Sequence, residues 1–250
     1  MSVIPNHPQI IPSVFHGADP AQKAYKGADK LWPADWTPDA WGSRLRIWHD
    51  ASDASTVTLV DNKVSQLLDK TGNTRHATQG TAGNRPALRT INGLSALDIT
   101  PGTVSLATPA FTLPQPLTVL FVIQFDNADT VTRLLTGLTG AFGGPQFGVA
   151  GGKWTMHTDV GFSSVINDDG LPHLLGAEFN GSSSKLYLDG AVIATGNAGT
   201  AGWSGQGVNI GTGWGGNWDG AIGETMFLDS VMSSDDLLFS RTYAKKKWGV

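Results

Sequence analysis

The stretch from Leu171 to Gly196, LPHLLGAEFNGSSSKLYLDGAVIATG, constrains the fold more than any other part of the chain. His173 to Phe179 is apolar apart from Gly176 and Glu178, and Asn180-Gly181 then brings residues that tolerate positive φ. Lys185 to Leu188 alternates polar and apolar side chains, Asp189-Gly190 gives a second reversal, and Ala191 to Thr195 follows. Three short strands on two polar turns form an antiparallel meander, and a meander needs a sheet to belong to.

The rest of the chain agrees. Among 250 residues there are 32 Gly and 13 Pro but only 15% charged side chains, a composition of many turns and few long helices. All-β sandwiches of this length often fold as one domain. Leu117 to Phe125, LTVLFVIQF, is too continuously apolar for a solvent-facing strand and is expected centrally between two sheets. Gly207 to Ile210 and Ala221 to Leu228 are further strands, and Ser233 starts a terminal helix with Asp235 and Asp236 in its first turn. Its apolar residues spread over more than one side, which suits a groove against the sandwich. Lys245, Lys246 and Lys247 complement the carbonyl-rich helix end.

Several functions are disfavoured. A net charge of -4 with no basic cluster before those lysines offers no nucleic-acid surface. The absence of cysteine removes disulfide, zinc-thiolate and cysteine-nucleophile chemistry. The start, MSVIPNHPQIIPSVFHG, is not expected to be a secretion signal, and no apolar run reaches membrane-spanning length, so no membrane insertion is expected. The two glutamates, Glu178 and Glu224, each lack a second carboxylate two residues away, and the six histidines lack metal-ligand spacing. No catalytic residue is assigned.

The meander resembles laminin-G-like and pentraxin-like domains of the concanavalin A-like lectin/glucanase fold, through Pro172-His173, Phe179-Asn180-Gly181 and Leu186-Tyr187-Leu188-Asp189-Gly190 in that order. Four further phrases resemble tailed-bacteriophage virion proteins, the first an element just before their lectin-like domain and the others parts of that domain. They are Tyr25 to Pro33, Trp48-His49-Asp50-Ala51 with Asp69 to Asn73, Arg85-Pro86 with Ile91-Asn92-Gly93, and Trp218 to Phe227. The resemblance covers roughly residues 24–250. It implies an all-β jelly-roll sandwich of two antiparallel sheets, with a short C-terminal helix, over residues 31–250. Residues 1–30 form an extended arm in which Pro5, Pro8, Pro12 and Pro20 prevent regular structure.

The resemblance implies a non-enzymatic phage structural protein in capsid or tail, assembled in the host cytoplasm and displayed on the virion surface. Its arm, with Ile4, Ile10, Ile11, Val14, Phe15, Tyr25 and Trp32, would engage other virion proteins, and further copies of the chain are expected partners. Host-surface glycan is the ligand such a domain would take. A free carbohydrate-binding module is the alternative, and a glycan-degrading enzyme a more distant one. Trp203 and Trp214, with Asn209, Asn217 and Asp219, are the expected sugar platform, because the Gly-rich run from Gly196 to Gly220 would let aromatic faces project. No cofactor is expected; Asp168 and Asp169 are the carboxylates a rim calcium would use, although Asn167 to Gly170 is equally an ordinary turn with no full ligand set.

Overall fold

The structure, a computed structural model, describes residues 24–26, 29–31, 36–100, 102, 104–126, 132–138, 144–213 and 216–250. It is a sandwich of two antiparallel sheets with one C-terminal helix. The first sheet runs Ala191–Gly196, Ser184–Leu188, Pro172–Phe179, Leu117–Phe125, Gly220–Leu228, Leu94–Ile99 and Ala87–Ile91, with Leu45–Asp50 also paired to Gly220–Leu228. The expected meander is its edge. Its second reversal has Asp189 at φ 50° and Gly190 at φ 78°, the left-handed pair of a tight hairpin, whereas the first closes through a 3-10 turn over Gly181–Ser183.

The second sheet runs Gly161–Asn167, Lys153–His157, Gln146–Ala150, Thr132–Gly137, Val208–Ile210, Leu106–Ala107, Ala77–Thr78, Lys63–Leu67 and Val57–Val60. The pair Thr212–Gly213 and Gly216–Asn217 joins it at Thr132–Gly137. Two short strands, Phe111–Leu113 and Trp203–Gln206, pair separately.

Alternation explains the layers. Along Leu117–Phe125, residues 117, 119, 121, 123 and 125 enter the core between the sheets, while Leu120 and Val122 enter a second core on the other side. The strand is therefore buried on both faces, but only one face meets the opposite sheet. The other meets the C-terminal helix, Ser234–Trp248.

That second core answers for much of the tryptophan near the start of the domain. Trp41 and Trp48 are buried in it, with Trp36 packed against it, and the Trp36 ring lies 4.9 Å from Trp41 and 5.8 Å from Tyr243. These side chains join the first sheet to the helix. Gly223 makes room for the helix end, since a Cβ there would lie 2.6 Å from the Trp248 ring. No helix of the described residues is long and apolar enough to cross a membrane.

Candidate functional site: the outward face of the second sheet

The helix covers the first sheet, so the two sheets have unequal outer faces. Neither of the two hydrophobic clusters lies on the outward face of the second sheet. Register places a row of small and polar residues across it: Thr58 opposite Gln66, Gln66 opposite Thr78, Thr78 opposite Ala107, Ala107 opposite Asn209, and Asn209 opposite Thr136. A second row joins Ser163, Thr155, Gly148 and Arg133. A bulge between Arg133 and Leu135 lets the strand supply both rows, sending Leu134 and Leu135 together into the core while Arg133 lies on the outward groove.

Two grooves open on this face. One, of about 270 Å³, is lined by Arg133, Thr155, His157, Phe162 and Ser163 among others. The other, of about 340 Å³, is lined by Gln66, His76, Thr78, Ala107 and Thr108 among others. Arg133 is only 7% exposed, and burial lowers its guanidinium pKa. Burial also lowers the pKa of His157, helped by the Arg133 charge, so this imidazole is neutral at neutral pH. Its Nε2 is buried without a hydrogen-bond partner among the described residues. The face thus offers neutral donors and acceptors, an aromatic side chain and a guanidinium.

Of the residues expected to form a sugar platform, Asn209 lies in this row. Trp203 does not. Its indole is 0% exposed and sits in the core, 6.0 Å from Phe111 and 5.6 Å from Phe227, so it has no face to offer a sugar. A large aromatic beside glycines gains more by filling the sandwich end than by projecting into water. Trp218 is likewise buried, its ring 4.5 Å from Phe125.

Trp214 lies outside the described residues, and Asn217 is placed through its backbone pairing with Arg133 alone. Asp219 is grouped instead with Asp126 and Asp98 around Arg89, and its carboxyl pKa is raised by burial first and Asp126 second. Ile4, Ile10, Ile11, Val14, Phe15 and Trp32 also lie outside the described residues. Tyr25 belongs to the strand Ala24–Lys26, whose hairpin with Asp29–Leu31 spans the expected boundary between arm and domain.

The calcium candidates are engaged locally. Asp168 accepts the Gly170 amide at 3.1 Å. Asp169 accepts the Leu171 amide at 2.9 Å and bonds His173 Nε2 at 2.9 Å. No group of three His, Asp or Glu among the described residues is placed to hold a metal.

Both glutamates lie on the helix side of the first sheet. Glu178 accepts the Tyr187 hydroxyl at 2.9 Å and the Met232 amide at 3.1 Å. Glu224 accepts Trp48 Nε1 at 2.5 Å, Trp248 Nε1 at 2.7 Å and the Tyr243 hydroxyl at 2.8 Å. Lys247 is not merely a helix-end cation: its Nζ lies 2.7 Å from Asp50 and 3.4 Å from Glu224. Burial raises the Glu224 pKa, and the neighbouring Asp50 charge adds to the rise.

Gln66, Thr78, Arg133, Thr136 and His157 were not singled out from sequence. Only His157 had a signal in the alternation Lys153-Trp154-Thr155-Met156-His157, where Trp154 and Met156 face the core.

Two stacked antiparallel sheets, one backed by a helix and one presenting polar grooves, define a β-sandwich. No family model matches the chain, nor does any curated protein sequence. Among solved structures, domain 4 of an extracellular arabinanase from Geobacillus stearothermophilus, in complex with arabinotriose, matches with TM-score 0.58 at 15% identity, covering 78% of this chain and 96% of that one. The binding domain of a paraclostridial mosquitocidal protein matches with TM-score 0.59 at 9% identity, covering 80% of this chain and 52% of that one. Trypanosoma rangeli sialidase matches with TM-score 0.56 at 11% identity, covering 82% and 33%. The chain thus spans nearly all of the arabinanase domain, about half of the mosquitocidal one and a third of the sialidase. At these identities the likeness shows the fold.

Proposed function

We propose that this chain is a non-catalytic glycan-binding sandwich whose ligand lies on the outward face of the second sheet. The observation that carries the reading is the register row from Thr58 through Asn209 to Thr136, flanked by two grooves. The arabinotriose held by the arabinanase domain supports a saccharide as the ligand class. Glycoside hydrolysis ordinarily needs a pair of carboxylates beside the sugar. Among the described residues the strands of this sheet contain neither Asp nor Glu, and both glutamates serve the helix side. The test is a glycan array with wild-type protein and an Asn209→Ala/Gln66→Ala variant: loss of the wild-type signal in the variant is expected, and an unchanged pattern contradicts the site.

Display on a bacteriophage particle, anchored by residues 1–30, is the biological setting we propose, supported by the phrases that resemble those of tailed-phage virion proteins. Deleting residues 1–30 should leave a folded domain that no longer joins particles. Normal incorporation would refute the anchor and favour a free binding module.

A further inference from the structure

The carboxylates of this chain are sorted between its sheets. The first sheet holds Asp50, Asp98, Glu178 and Glu224 within its strands. The second, with more strands, holds none among the described residues, in a chain that has 21 Asp and Glu and a net charge of -4. Its outward positions instead carry Lys153, His157 and Arg133, which alternate with the core residues Trp154, Met156 and Leu134.

Arg133 and His157 line one groove with the Thr155 and Ser163 hydroxyls. Among the described residues Asp159 is the carboxylate lining this groove, and it is already engaged by the Thr158 hydroxyl and by backbone amides including that of Thr200. A guanidinium largely withdrawn from water attracts an anion more strongly than an exposed one does, and presents a planar fork to carboxylate or sulfate oxygens. Neutral sugar hydroxyls do not exploit that charge.

We propose that this face takes an anionic saccharide, one bearing carboxylate or sulfate groups, with Arg133 holding the charged group and Thr155, His157 and Ser163 reading neighbouring hydroxyls. The inference rests on the glycan reading of the same face. It differs from that reading in requiring charge on the ligand.

The experiment is isothermal titration of the full chain with two polymer pairs: dextran sulfate against dextran, and polygalacturonate against its methyl ester, at about 150 mM salt so that diffuse surface attraction is screened. At least one anionic polymer should bind about tenfold or more tightly than its uncharged counterpart, and which one binds separates sulfate from carboxylate. Arg133→Gln should weaken that binding about tenfold, the scale of a lost charge-assisted hydrogen bond. Because Arg133 is buried, the exposed Lys153→Glu provides a second variant, expected to weaken binding several-fold. A Lys245→Gln/Lys246→Gln double variant, on the helix over the other sheet, should bind like wild type.

Equal affinity within both pairs, or unchanged affinity in Lys153→Glu and in a folded Arg133→Gln, overturns the inference. If a neutral glycan from the array binds through Asn209 and Gln66 while neither polyanion binds, only the anionic inference falls. If no array glycan and no polymer binds, both readings fall.

Discussion

His173 stands between two carboxylates, with Nδ1 2.8 Å from Asp189 and Nε2 2.9 Å from Asp169. The bond to Asp189 raises its pKa from 6.5 to about 9, against the opposing effect of burial, with Asp169 adding to the rise. Because the folded pKa is the higher one, the stabilisation is complete below about pH 6.5 and is lost as pH rises through about 9. Solvent reaching the carboxylates reduces the effect to about 1–2 kcal/mol. Urea melts at pH 6 and pH 10 should show that loss in wild type and a smaller one in His173→Gln.

Trp203 makes the opposite point about reading single residues. Its glycine neighbours are compatible with projection into solvent, but burying a large indole outweighs that local permission. Trp203→Ala should cost about 3–5 kcal/mol of unfolding free energy, measured by chemical denaturation. A loss below about 1 kcal/mol would return the residue to the surface.

Elements differ in how far sequence reveals them. The C-terminal helix was legible because its start is local chemistry: Ser233 accepts the Asp236 amide at 3.1 Å, and Asp236 accepts the Ser233 amide at 2.8 Å. Asp236 also accepts Trp41 Nε1 at 2.8 Å and pairs with Arg44 at 3.0 Å, so the cap fastens the helix to the 3-10 segment Pro38–Arg44. Ser233→Ala should cost about 1 kcal/mol and Asp236→Ala more, since it also leaves Trp41 and Arg44 without that acceptor; equal losses in a denaturant titration would contradict the fastening role. The polar cluster beneath the helix was not legible. Its members at positions 48, 50, 224, 243, 247 and 248 are joined by sheet pairing and helix docking, neither of which leaves a fixed sequence spacing.

For the whole molecule, the sandwich was readable because the meander, the doubly apolar strand Leu117–Phe125 and the turn chemistry all require sheet. Which sheet faces outward was not. Its row is assembled from strands as short as two residues, Ala77–Thr78 and Leu106–Ala107, contributed by segments far apart in sequence. Those two are too brief to show period-two alternation, and no fixed sequence spacing ties Thr58, Gln66, Thr78 and Thr136 to the face that carries Asn209. The most direct measurement is an amide chemical-shift titration of isotope-labelled protein with the strongest saccharide from the glycan array. We predict saturable shifts concentrated at Gln66, Thr78, Asn209, Thr136, Arg133 and Thr155. Shifts confined to the Ser184–Gly196 edge or to the helix would contradict the assignment of the outward face as the glycan site.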